Sequence, residues 1–293
     1  MAAHISLRFL GVRAFHSAPG PQNITTGGNT GSIELHDGSQ RIFINAGFGI
    51  NIAGDELFAH YLKTKTPVNC TFLFSDFMFD SILGLPFFTP IHFKSTELDI
   101  LTGAREIDAI DGINDAATNL FSPFTGLCGF RAEISIRTLD SAMQLGQWTI
   151  RALTLAHPLT PYPVTVWRMS HDSGADIGIV MTCDNDSQSM GKVGDFLSGC
   201  HTLICAASTS PEQDGWDLHR TGFDDALSLA LNINADELYL TQFHPEMTDL
   251  LLQRQLTRLH ESLPAKNASL RIHLASEIET IAPICSIPVK KAG

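Results

Sequence analysis

The residues best placed to do chemistry lie in one stretch, Leu73 to Phe88, LFSDFMFDSILGLPFF. An apolar run, Cys70 to Phe74, has the pattern of a buried strand. Polar residues then recur at every second or third position, and an apolar segment with Gly84 and Pro86 follows. Asp76 and Asp80 are oxygen donors, and a carboxylate-rich set suits manganese, magnesium or calcium better than zinc. His157, before Pro158, and Asp184, in Cys183-Asp184-Asn185, come where other strand-like runs end. Each residue also has a plain structural use. Asp80 suits the N-cap of a following helix, and Asp76 a bond to the loop backbone. Met78 suits packing, His157 a buried hydrogen-bonded position and Asp184 a turn. Ser75 or Ser81 as a nucleophile lacks a Gly-x-Ser-x-Gly elbow, and the Gly27-Gly28-Asn29-Thr30 loop lacks the lysine of a phosphate-binding loop.

The elements that must position these residues follow from periodicity. Ser6 to Val12, Ser32 to Leu35, Arg41 to Ala46, Gln147 to Leu155, Val164 to Met169, Ile177 to Thr182, Gly199 to Ala207, Glu237 to Thr241 and Leu270 to Leu274 have strand patterns. Pro90 to Leu101 is strand with turns, and residues 102–128 are a long excursion around a helix. Asp55 to Thr64, Phe223 to Leu231 and Asp249 to Leu263 have the spacing of helices. Two weakly similar halves each have strands followed by helices.

The bulk numbers narrow the function. The chain has 293 residues, 44% of them hydrophobic, enough for a large core. With 19 Lys and Arg against 31 Asp and Glu its formal charge is -12, which argues against general nucleic-acid binding. Cys70, Cys128, Cys183, Cys200, Cys205 and Cys285 show no CxxC spacing. The start, MAAHISLRFLG, lacks the pattern of a signal peptide, and no apolar run reaches the ~20 residues of a membrane helix. These features lead to the expectation of a cytoplasmic protein with no membrane partner.

The Leu73–Phe88 stretch resembles the metal-binding loop of the metallo-β-lactamase superfamily, in which a strand ends in His-x-His-x-Asp-His and continues into Gly-Leu-Pro-Phe-Phe. The frame GVR, PGP, GGNT and INAGFGI is similar to the branch of ribonuclease-Z-like and cyclic-nucleotide-phosphodiesterase-like hydrolases. The resemblance covers roughly residues 6–280. It implies a single four-layer αββα sandwich spanning residues 1–293, and dimers are common among relatives. It also implies metal ligands at Asp76, Met78, Asp80, Ser81, His157, Asp184 and Gln242. Of these only Asp80, His157 and Asp184 keep the family's residue type. Asn45 takes the place of an aspartate that supports the metal loop. His219, in GWDLHRT, is the candidate for the family's catalytic histidine, and His244 lies two residues beyond Gln242.

Three matching residues cannot close two zinc shells of about four ligands each. The expectation is therefore a degenerate, non-hydrolytic protein that needs no cofactor and binds a small ligand or a protein partner. The competing expectation is a phosphodiester or cyclic-nucleotide hydrolase with one manganese, magnesium or zinc ion. Its ion would sit in a site rebuilt from Asp76, Asp80, His157 and Asp184. Phe77, Phe79, Phe87 and Phe88 would support a partner surface if exposed.

Overall fold

A computed structural model describes residues 5–120, 129–140, 142–158, 160–209, 220–264, 269–278 and 280–281. The described residues form two seven-stranded sheets. The first contains β1 (Ser6–Gly11), β2 (Ser32–His36), β3 (Arg41–Ile44), β4 (Val68–Phe74), β5 (Thr96–Thr102), β6 (Glu133–Thr138) and, beside β1, β14 (Thr280–Ile281). The second runs from β7 (Met143–Leu145) through β8 (Trp148–Leu155), β9 (Val164–His171), β10 (Asp176–Val180), β11 (Thr202–Ala206) and β12 (Glu237–Thr241) to β13 (Arg271–Leu274). Both sheets show the same pairing: three antiparallel contacts, then three parallel ones.

The sheets stack around a shared apolar core with Leu7, Ile33 and Leu73 on one side and Ile150, Met169 and Ile179 on the other. Helices cover the outer faces. α1 (Ile50–Thr64), the short α2 (Phe79–Ile82) and α3 (Glu106–Leu120) lie on the first sheet, where Ile50, Ala53 and Ala109 meet Phe43, Phe72 and Ile100. α4 (Ser187–Leu197), α5 (Phe223–Ile233) and α6 (Asp249–Glu261) lie on the second, through Leu197, Ala226 and Leu252. Strands buried on both faces are nearly continuous in apolar residues, as β4 (VNCTFLF) and β11 (TLICA) are. This is the α/β four-layer sandwich expected from the sequence.

The structure decides four points that the sequence misplaced or left open. α1 begins at Ile50, not Asp55, because apolar Ile50 and Ala53 dock on the sheet and Gly54 lets the helix approach Phe88 closely. A Cβ at Gly54 would lie 2.9 Å from the Phe88 ring. The N-cap of α2 is Met78, and Asp80 lies inside the first turn rather than capping it. β6 and β7 lay outside the expected strands: β6 (EISIRT) alternates, with Ile134 and Ile136 on its covered side, and β7 is only three residues long. Phe77 and Phe88 are core, while Phe79 and Phe87 are 39% and 41% exposed.

Candidate functional site

The nominated residues leave the sheets at the end where the parallel strands finish: Asn45 after β3, Ser75 and Asp76 after β4, His157 after β8, Asp184 after β10 and Gln242 after β12. Side chains of open α/β sheets meet ligands at this end. Backbone bonds tie the two sheets together there, with Thr165 N–H donating to the Ser75 carbonyl at 2.6 Å and Phe243 N–H to the Val12 carbonyl at 2.7 Å.

Asn45 welds three segments. It has a positive φ of 56°, which asparagine tolerates better than most residues. Its Oδ1 accepts from Ser75 N–H at 2.8 Å, and its Nδ2 donates to Ser81 Oγ at 3.0 Å. The two substituted positions thus partner each other, and Asn45 and Ser81 are spent on holding β3, β4 and α2 together.

Asp76 is 1% exposed and both its oxygens are engaged. Oδ1 accepts from Met78 N–H at 2.9 Å, the loop-backbone bond anticipated for it, and Oδ2 accepts from Thr182 Oγ1 at 2.6 Å across the sheets. Asp80 is buried and accepts from Phe15 N–H at 2.6 Å. Burial first, and Asp76 second, push its carboxyl above the usual carboxylate range, against the pull of Arg220 and Phe15 N–H.

Arg220 enters the same place from the segment before α5 and is 9% exposed. Its Nη2 donates to Met78 Sδ at 3.3 Å, and its guanidinium carbon lies 4.2 Å above the Phe15 ring. Among the described residues its buried Nε has no hydrogen-bond partner. Phe15 itself has φ 64°, a left-handed backbone rare for an aromatic residue and of the strained kind that clusters at functional sites. That conformation lets one residue offer its N–H to Asp80 and its ring face to Arg220. The other side of this small cluster is His244, whose ring meets Phe15 edge-on at 5.3 Å.

The remaining candidates come from other segments. Gln242 ends β12 with φ 55°, so the strand does not continue to His244. Its buried Oε1 has no partner among the described residues and lies close to Gly31, where a Cβ would be 2.4 Å away. His157 is 5% exposed. Asp184 is half-buried and accepts from Asp186 N–H at 3.3 Å, in the turn that leads to α4. Burial pushes the thiol of Cys183, beside it, up to about 12. Among the described residues no three His, Cys, Asp or Glu side chains form a group that could hold a metal ion. His219 lies outside the described residues.

A dinuclear zinc centre does not fit this donor set. Asp76 is committed to Met78 and Thr182, Met78 offers only a thioether, and a guanidinium already stands beside Met78 and Asp80. Sequence reasoning missed Phe15, Thr182 and Arg220. Arg220 had a signal, as the residue next to His219 in GWDLHRT, and Thr182 lies two before Asp184. Nothing in the sequence marks Phe15.

The layers, the matched sheets and the site at their common end define a metallo-β-lactamase fold. Three solved structures align over nearly all of this chain. The metallo-β-lactamase fold protein YhfI from Bacillus subtilis does so at 14% identity and a TM-score of 0.66, covering 96% of this chain and 99% of its own. Unliganded yeast PDE1 is 12% identical with a TM-score of 0.64, over 94% and 98%. The short form of human tRNase Z is 18% identical with a TM-score of 0.59, over 97% and 100%. No protein-family model and no curated protein matches the chain by sequence. Among the described residues no helix is long and apolar enough to cross a membrane.

Proposed function

We propose that this chain is a non-hydrolytic metallo-β-lactamase-fold protein that binds a small ligand or a protein partner. The observation that carries this reading is the Arg220 guanidinium on Met78, beside Asp80, in the loop that the resemblance assigns to metal ligands. A fixed cation there competes with a metal ion for the same carboxylates. The core shared by both sheets supports treating residues 1–293 as one unit.

The second reading is a phosphodiester hydrolase working with one ion. The retained Asp80, His157 and Asp184 favour it, as do neighbours named PDE1 and tRNase Z. Metal content by inductively coupled plasma mass spectrometry separates the two, on protein purified without chelator or nickel. The non-hydrolytic reading expects no stoichiometric metal and no turnover of bis-p-nitrophenyl phosphate with added manganese. One metal per chain, lost together with turnover in His157→Ala, would replace it with the hydrolase.

A further inference from the structure

We propose that Arg220 is the resident cation of this centre: its guanidinium occupies the metal neighbourhood beside Met78 and Asp80, and a divalent ion gains a foothold there only when that side chain is removed. The inference rests on the non-hydrolytic reading above and deepens it.

Three segments distant in sequence build the arrangement. Met78 and Asp80 come from the loop after β4, Phe15 from the loop after β1, and Arg220 from the lead-in to α5. A buried guanidinium is costly unless its donors are matched. Among the described residues the pairing of Arg220 is poor by that standard: a thioether is a weak acceptor, and Nε has none. What holds the charge is electrostatic: the aromatic face of Phe15 and the neighbouring carboxyl of Asp80, with Asp76 behind it. A metal ion is held in the same way, by surrounding negative charge rather than by a full set of hydrogen bonds. The left-handed backbone of Phe15 fits this account, because it brings a donor onto Asp80 and a ring under the guanidinium at once.

Removing the cation leaves Asp76 and Asp80 in one buried place without a counter-charge. Each oxygen of Asp76 keeps a second lone pair beside its bond to Met78 N–H or Thr182 Oγ1, and with Asp80 and water that set suits manganese or magnesium, though not a closed zinc site.

The test compares wild type, Arg220→Ala and Arg220→Lys by thermal melting and by calorimetric titration with manganese chloride. Wild type should neither bind manganese nor change its Tm. Arg220→Ala should melt about 5–10 °C lower and recover about 3 °C or more in millimolar manganese, with measurable heat of binding. Arg220→Lys, which keeps the charge, should fall less and remain indifferent to metal. If Arg220→Ala loses stability yet ignores manganese, or loses none, the inference is overturned while the non-hydrolytic reading stands. Stoichiometric metal on wild type, with Arg220 in place, overturns both. If Arg220→Ala does not fold, the pair Asp80→Asn with Arg220→Gln decides. It should be more stable than Arg220→Gln alone, and a pair no more stable than that single variant overturns the proposal.

Discussion

Two arginines are buried at the same end of the sandwich, and they are used in opposite ways. Arg13, fully buried after β1, has a partner for each nitrogen. Nε donates to the Gly27 carbonyl at 2.8 Å, Nη1 to the Met247 carbonyl at 2.6 Å and Nη2 to Thr26 Oγ1 at 2.8 Å. Asp249 accepts from Thr25 N–H, Thr26 N–H and Thr26 Oγ1, and Glu277 accepts from Asn29 N–H and Nδ2. Arg13 thus nails the Gly-rich loop of residues 25–31 to the ends of both sheets. Arg220 has a thioether, a ring face and an idle Nε. The difference separates a scaffold charge, whose hydrogen bonds are complete, from a site charge, which is held by nearby opposite charge and retains donor capacity.

The largest expected effect tests the scaffold half of that contrast. Arg13→Ala strands three acceptors and leaves Asp249 and Glu277 without their cation. It should cost about 3–5 kcal/mol in urea unfolding, more than Arg220→Ala costs. Equal or reversed losses would end the distinction between the two arginines. Next, Asp76→Ala removes the acceptor of Thr182 Oγ1 and Met78 N–H in a buried place, for a loss of about 2–3 kcal/mol. A loss within about 0.5 kcal/mol would mean that Asp76 is not the bridge between the sheets.

Glu277 gives a pH signature to the Arg13 side. Burial pushes its carboxyl up to about 7, above the ordinary 4.5, despite the donors on Asn29. The folded state therefore binds the proton more tightly than the unfolded chain does. Stability from this group is full below its unfolded value and falls as pH rises toward 7. Between about pH 4.5 and 7.5 the decline should be on the order of 2 kcal/mol, and Glu277→Gln should flatten it. An unchanged slope in that variant would assign the pH dependence elsewhere. The smallest effect concerns packing. Gly31→Ala forces the Gln242 carboxamide aside at a cost of about 1–2 kcal/mol, which Gln242→Ala should largely restore. Additive losses in the double variant would place the clash somewhere other than Gln242.

Much of the scaffold was legible in the chain. β8, β9, β11, β12, α5 and α6 lie within a few residues of their sequence patterns, because each buries a long periodic apolar face. The edge strands β6 and β7 were missed because they are short: β6 offers only Ile134 and Ile136 as an apolar face, and β7 has three residues. The start of α1 was missed because its first turn is apolar and broken by glycine, and only Phe88 explains that glycine. At the site, Asp76, Asp80, His157 and Asp184 could be named from their positions after strands, but their partners could not. Asp76 bonds Thr182, 106 residues away, and Arg220 reaches Met78 across 142.

The sequence by itself determined the elements, the sandwich they build and the identity of the acidic residues at its working end. Periodicity and the Gly/Pro frame act over a few residues, so they can be read in order along the chain. The tertiary structure alone decided that Asn45 holds Ser81, that Thr182 occupies Asp76 and that a guanidinium lies beside Asp80. Those outcomes depend on burial and on distances between segments far apart in the chain, and it is these that fix the electrostatics of a charged group.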